Sequence, residues 1–117
     1  MRIYAPVTAS QLRDLLDGQS WTLESVYSAS QEFIDANEDL DQEELEYLLS
    51  TQAAQQALDE ADFGLVLVAE VETANSVSFS DIECVFECTP TSEESDIDLV
   101  WYGPTELEMH INAWSRR

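Results

Sequence analysis

The sequence predicts an α+β fold. One domain spans residues 1–117, with a mixed sheet of roughly four or five strands and helices packed against it, in the order β-α-β-α-α-β-β-β-α. Three observations carry this. The run from Phe63 to Ala69 is apolar throughout, as suits a central strand covered on both faces. Thr8 and Asp41 each open a helix-start signal followed by apolar residues at three-to-four spacing. Finally, 117 residues with 44% in the hydrophobic class supply one core and leave no room for two.

Taken in order, Arg2 to Val7 reads as a first strand closed by Pro6. Thr8 is a helix N-cap whose capping box is completed by Gln11, with Val7 and Leu12 at the staple positions. Leu12, Leu15 and Leu16 form the inward stripe, and Gly18 ends the helix. Trp21, Leu23 and Tyr27 alternate with more polar neighbours, which predicts a second strand over about residues 20–28. Residues 30–39 read as a short helix turning Phe33 and Ile34 inward. A longer helix starts at Asp41, with Glu44 returning three residues later and Leu40 and Leu45 as staple. Leu45, Leu48, Leu49, Ala53, Ala57 and Ala61 continue its inward face. Strands follow at 63–72 and at 78–89, the latter entered irregularly through Phe79-Ser80-Asp81. Thr91 to Asp96 is an acidic loop, and Leu99 to Tyr102 is a short strand broken by Gly103-Pro104. A last helix is capped by Thr105, with Glu108 at its third position and Leu107, Ile111 and Trp114 inward.

The charge balance excludes several functions. Asp and Glu number 25 against four Arg and no Lys, for a net charge of -21. A direct nucleic-acid interface needs a basic footprint, and a P-loop needs a lysine. Three glycines do not make a Gly-rich phosphate cradle. The apolar run at Phe63–Ala69 is far too short for a membrane span, and an acidic surface is repelled by anionic lipid. Met1 to Pro6 lacks the apolar stretch of a secretion leader, so a cytoplasmic protein without membrane contact is expected. Cys84 and Cys88 fall on one face of a strand about 13 Å apart, too far for a mutual disulfide. They read as small buried apolar side chains.

Three segments together resemble a known family. The opening Met1-Arg2-Ile3-Tyr4-x-Pro6-Val7-Thr8, the run Glu43-Glu44-Leu45-Glu46-Tyr47 and the segment Trp101-Tyr102-x-x-x-Glu106-Leu107 are similar to a family of short uncharacterised actinobacterial proteins. The likeness touches both ends and the middle of the chain. Members of that family are richer in Ala and Arg and longer before the Trp-Tyr segment, whereas here Pro90 to Asp98 alone separates the strands. No activity is established for the family, so the resemblance implies no catalytic residue and no cofactor.

The residues that bear chemistry are mostly acidic. Glu32 to Glu46 holds eight carboxylates in fifteen residues. Within it Asp35, Asn37, Asp39, Asp41, Glu43 and Glu46 repeat the ligand spacing of a calcium loop, but Leu40 occupies the turn position that needs glycine. A solvated, helix-starting acidic segment is the plainer reading. His110, the one histidine, follows Glu106 by one helical turn, as an acid/base pair or as helix stabilisation. Pairs of carboxylates suited to glycoside hydrolysis carry no specificity among so many acids. If Glu72 pairs with Asp81, Glu70 falls opposite Glu83, a repulsion that a cation or basic partner would relieve. From Tyr47 to Leu58 the long helix has no charge, and its outward positions are Ser50, Thr51, Gln52, Gln55 and Gln56. There a partner, or a second copy in a homodimer, would meet least repulsion.

The function expected from these residues is that of a non-catalytic, strongly acidic interaction or regulatory protein whose partner is another, basic, protein. Thr51, Gln52, Gln55, Gln56, Glu70 and Glu83 are its candidate partner surfaces. A nucleic-acid-mimicking decoy is one alternative, and a small metal protein or enzyme built on the acidic residues is another.

Overall fold

The structure, a computed structural model, describes residues 2–22, 26–28, 31–59, 63–72, 76–90 and 97–116. It is α+β, with strands β1 (Arg2–Val7), β2 (Trp21–Thr22), β3 (Tyr27–Ser28), β4 (Gly64–Glu70), β5 (Ser76–Val77), β6 (Ile82–Pro90) and β7 (Ile97–Tyr102). The helices are α1 (Ala9–Leu16), α2 (Gln31–Ala36), α3 (Gln42–Ala57) and α4 (Leu107–Ser115). Five strands form one sheet in the order β3-β1-β4-β6-β7, and β2 and β5 form a separate ribbon.

The expected mixed sheet is antiparallel at every recorded pairing. β1 and β4 are joined through α1, β2, β3, α2 and α3, and after this long connection the chain enters β4 running opposite to β1. The single strand expected over 20–28 is two short ones with different partners. Tyr27–Ser28 adds to β1, and Trp21–Thr22 joins the small strand β5, which alternation in the sequence did not single out.

Alternation along each strand sorts side chains between two cores. Ile3, Ala5, Val7, Leu65, Leu67, Ala69 and Val85 face α1 and α4, where Leu12, Leu15, Leu107, Ile111 and Trp114 meet them. Tyr4, Val66, Val68, Cys84 and Cys88 face α3 and pack on Leu49, Ala53 and Ala54. The sheet is thus a middle layer, which explains the unbroken apolar run of β4. Its register with β6 shifts between Val68 and Ala69, whose partners are Cys84 and Ile82, so Glu83 is the extra residue of a β-bulge. In a regular strand Ile82 and Cys84 would share a face. Here Ile82 joins the core beside α1 and α4, and Cys84 joins the one beneath α3.

The helix starts follow their signals at two of three places. Thr8 Oγ1 accepts from the Gln11 amide at 3.1 Å, and Gln11 Oε1 accepts from the Thr8 amide at 2.9 Å. Gly18 takes φ +94° just past α1, and the Gln19 amide reaches back to the Asp14 carbonyl at 3.0 Å. Asp41 Oδ1 accepts from the Glu44 amide at 2.9 Å. At the third place Thr105 does not cap a helix. Pro104 opens a 3-10 turn over Pro104–Glu106 that runs directly into α4 at Leu107. The acidic loop 91–96, Ala61 and Leu23 lie outside the described residues.

Candidate functional site

The side chains with the densest mutual arrangement lie on the α3 side of the sheet, built around Arg2. Period-two alternation puts Arg2 and Tyr4 on the same face of β1, and Arg2 stands directly opposite Glu70 of β4. The guanidinium reaches up to α3 and across to β6: Nη1 donates to Glu46 Oε1 and Nη2 to Glu83 Oε2, each at 2.8 Å. The bulge at Glu83 is what brings that carboxylate into reach beside Cys84. The guanidinium carbon also stands 6.0 Å from the centroid of the Tyr4 ring. Partial burial works against the Arg2 charge, but Tyr4, Glu83 and Glu46 outweigh it and raise the guanidinium above its ordinary pKa. Tyr4 is nearly buried, and loss of water raises its phenol to about 12, with Arg2 opposing. It therefore stays a neutral hydroxyl at physiological pH.

Beside this cluster runs a groove of about 510 Å³ between α2, the first turns of α3 and the β1–β4 pair. Arg2, Gln42, Glu46 and Glu70 supply its polar lining, and Tyr4, Ile34, Leu45 and Leu49 its apolar lining. Ile34 was expected inward. It is 38% exposed at the groove mouth, while Phe33, one residue earlier, packs on the core. A concave surface with an apolar wall and carboxylates at its rim suits the stem and head of a cationic side chain.

The calcium-like spacing is not used as a loop. Asp35 sits in α2 and accepts from Gln31 Nε2 at 2.8 Å, Asn37 donates to the Phe33 carbonyl, Asp41 caps α3, and Glu43 and Glu46 lie within α3. Helices at both ends hold Asp35 and Glu43 apart in separate elements, with Asp39 in the turn between. Among the described residues no three His, Cys, Asp or Glu side chains gather as a metal site.

On the neutral stretch of α3, Gln55 and Gln56 are exposed, and Thr51 and Gln52 are half-buried. Ser50, expected outward, is 5% exposed and donates to the Glu46 carbonyl at 2.9 Å, because the buried face of α3 runs through Leu49, Ser50, Ala53 and Ala54. Tyr27 of β3 donates its hydroxyl to Gln56 Oε1.

A second polar group lies on the opposite face. Glu87 Oε2 accepts from Trp114 Nε1 at 2.9 Å and from the Tyr102 hydroxyl at 3.2 Å. His110 packs its ring against Tyr102 at 4.5 Å and Trp114 at 5.8 Å. That arrangement ties α4 to β6 and β7, and it uses His110 as packing. A roomier hollow of about 710 Å³ opens near Thr8, Arg13, Phe63 and Ser115. Most of its polar groups are already bonded: Thr8 and Gln11 to each other, Arg13 to Asn112, and Ser115 to the Ile111 carbonyl. Both cysteines are free and buried, and loss of water raises their thiols to about 11 for Cys84 and about 12 for Cys88.

A family model described as a family of unknown function, DUF6912, matches residues 1–89. The chain belongs to DUF6912. No curated protein and no solved structure matches it. In this DUF6912 protein the matched span contains every residue of the Arg2 cluster and its groove, and ends within β6. None of the described helices is long and apolar enough to cross a membrane. The sequence pattern marks Glu46 by its calcium-like spacing and Glu70 with Glu83 as a facing pair. However, Ala69 of β4 pairs with Ile82, so those two do not stand opposite. Nor does the pattern mark Arg2, which joins Glu46 to Glu83. The available signal was the scarcity of cations: one of four arginines stands two residues before a tyrosine, on one face of a strand.

Proposed function

We propose that this DUF6912 chain is a non-catalytic cytoplasmic binding protein that recognises a basic protein through the groove and carboxylates around Arg2. The observation that supports it is the chain's own use of that face. A guanidinium is held there by Glu46 and Glu83 at 2.8 Å each, beside Glu70 and an apolar wall. Two carboxylates share the one guanidinium, and the net charge of -21 steers cationic partners towards this face. The decoy reading is supported less well, because the uncharged stretch Tyr47–Leu58 interrupts any long row of phosphate-like charges.

The test is affinity capture from native lysate with the wild type and with Glu46→Gln/Glu70→Gln. A basic protein should be retained at about 50 mM salt and released at about 500 mM, as screened charge pairs require, and the variant should retain much less. A wild-type column that retains no basic protein at either salt overturns the reading.

A further inference from the structure

The two edges of the sheet are managed differently. At one end β3 contributes only two residues, which leaves little backbone for a stranger to pair with. At the other end β7 runs six residues, Ile97–Tyr102, and pairs with β6 alone among the described strands. Among the described residues this edge is lightly guarded. Its sequence Ile-Asp-Leu-Val-Trp-Tyr has no Pro and no Lys, its register with β6 is regular, and Asp98 is its one charge. Moreover, Val100 is 47% exposed and Trp101 is 55% exposed. Neighbours along a strand point to opposite faces, so the edge presents an apolar side chain above the sheet and another below it. The Trp101 ring lies close over Gly103, where an added Cβ would meet it at 2.9 Å.

We propose that β7 is a strand-addition site, which takes an extended basic segment of a partner protein as a sixth strand of the sheet. Backbone pairing along the open edge supplies register, and alternate side chains of the guest cover Val100 on one face and Trp101 on the other. Charge selects the occupant. A second copy of this chain would set -21 against -21 and bring its own Asp98 to the contact, whereas a Lys/Arg-bearing strand is attracted to the same surface. The site rests on the reading that the partner is basic, and adds a second contact at the sheet edge, apart from the Arg2 groove, in which the partner is held as a strand.

The probe is a short peptide of alternating lysine and valine, about as long as β7. Its counterpart carries N-methyl groups on alternate amides, which keeps charge and side chains but removes one edge of backbone donors. The expected result is binding of the plain peptide about tenfold tighter than the N-methylated one, with hydrogen-exchange protection appearing on the β7 amides. Val100→Lys should lose about tenfold in affinity, whereas the same charge change at exposed Ser10, as Ser10→Lys, should have little effect. Equal, salt-sensitive binding of both peptides overturns strand addition and leaves the basic-partner reading standing. Binding of neither peptide overturns both. A free protein that sediments as a dimer with its β7 amides already protected also overturns the proposal, because a second copy then covers the edge.

Discussion

Removing the Arg2 charge while keeping its stem, as Arg2→Met, isolates what the bridge contributes. The side chains of Arg2, Glu46 and Glu83 are 42%, 32% and 40% exposed, so each pair is screened by water. At that exposure an ion pair contributes about 0.2–1 kcal/mol. Loss of both pairs, plus a few tenths from carboxylates left without a counter-charge, gives about 1–2 kcal/mol at low salt. For a domain of this length that is a fall of about 4–8 °C in Tm. The assay is thermal unfolding followed by circular dichroism at about 20 mM and about 1 M salt, where the screening length drops to about 3 Å. The deficit against wild type should shrink by more than half at high salt. Arg2→Lys, which keeps the charge but loses the fork that spans two carboxylates, should fall between. A deficit that ignores salt would assign the effect to the stem against Tyr4, and no deficit at low salt would refute the electrostatic reading outright.

Two further outcomes test the packing. A Cβ on Gly64 would stand 2.6 Å from the Ala57 Cβ and 3.2 Å from its carbonyl, so Gly64→Ala should lift the end of α3 and cost about 1–3 kcal/mol in a urea melt. Adding Ala57→Gly should recover part of that loss, and a neutral Gly64→Ala would mean α3 is seated less closely. The buried thiols set an alkaline limit. Their folded pKa values of about 11 and about 12 exceed the ordinary value of 9.0, so folded and unfolded chains both keep these protons below pH 9. Above it the unfolded chain releases them first, and stability falls as pH rises through 11 to 12. Cys84→Ala/Cys88→Ala should flatten that fall, and native protein at pH 8 should react slowly with iodoacetamide. Fast labelling, or an unchanged slope, would count against the burial.

Much of the fold was legible because its signals are local. The Thr8 box, the Asp41 cap and the apolar run of β4 each depend on residues within a few positions of one another, and each appears where expected. What failed depends on distant partners. The split of residues 20–28 between β1 and β5, and the antiparallel return to β4, are decided by neighbours that no local pattern names. Thr105 failed for a different reason. The residue before it, Pro104, sets a 3-10 turn whose N-cap is Gly103, and this turn wins over the capping pattern at Thr105. The site was half legible in the same sense. Glu46, Glu70 and Glu83 stood out as charges, but a residue 44 positions from Glu46 brings it together with Glu83.

The extra residue in β6 works as a phase joint. Upstream of it the strand is spelled with one parity and downstream with the other, so substitutions that reset Ser78–Ile82 need not rotate Cys84 and Cys88 out of their seats. The joint is also riveted: Arg2 grips Glu83 at the place where the two spellings meet. In this chain the arginine at the head of β1 and the acid at the joint therefore act as one unit, and loss of either unpins the place where the strand changes phase.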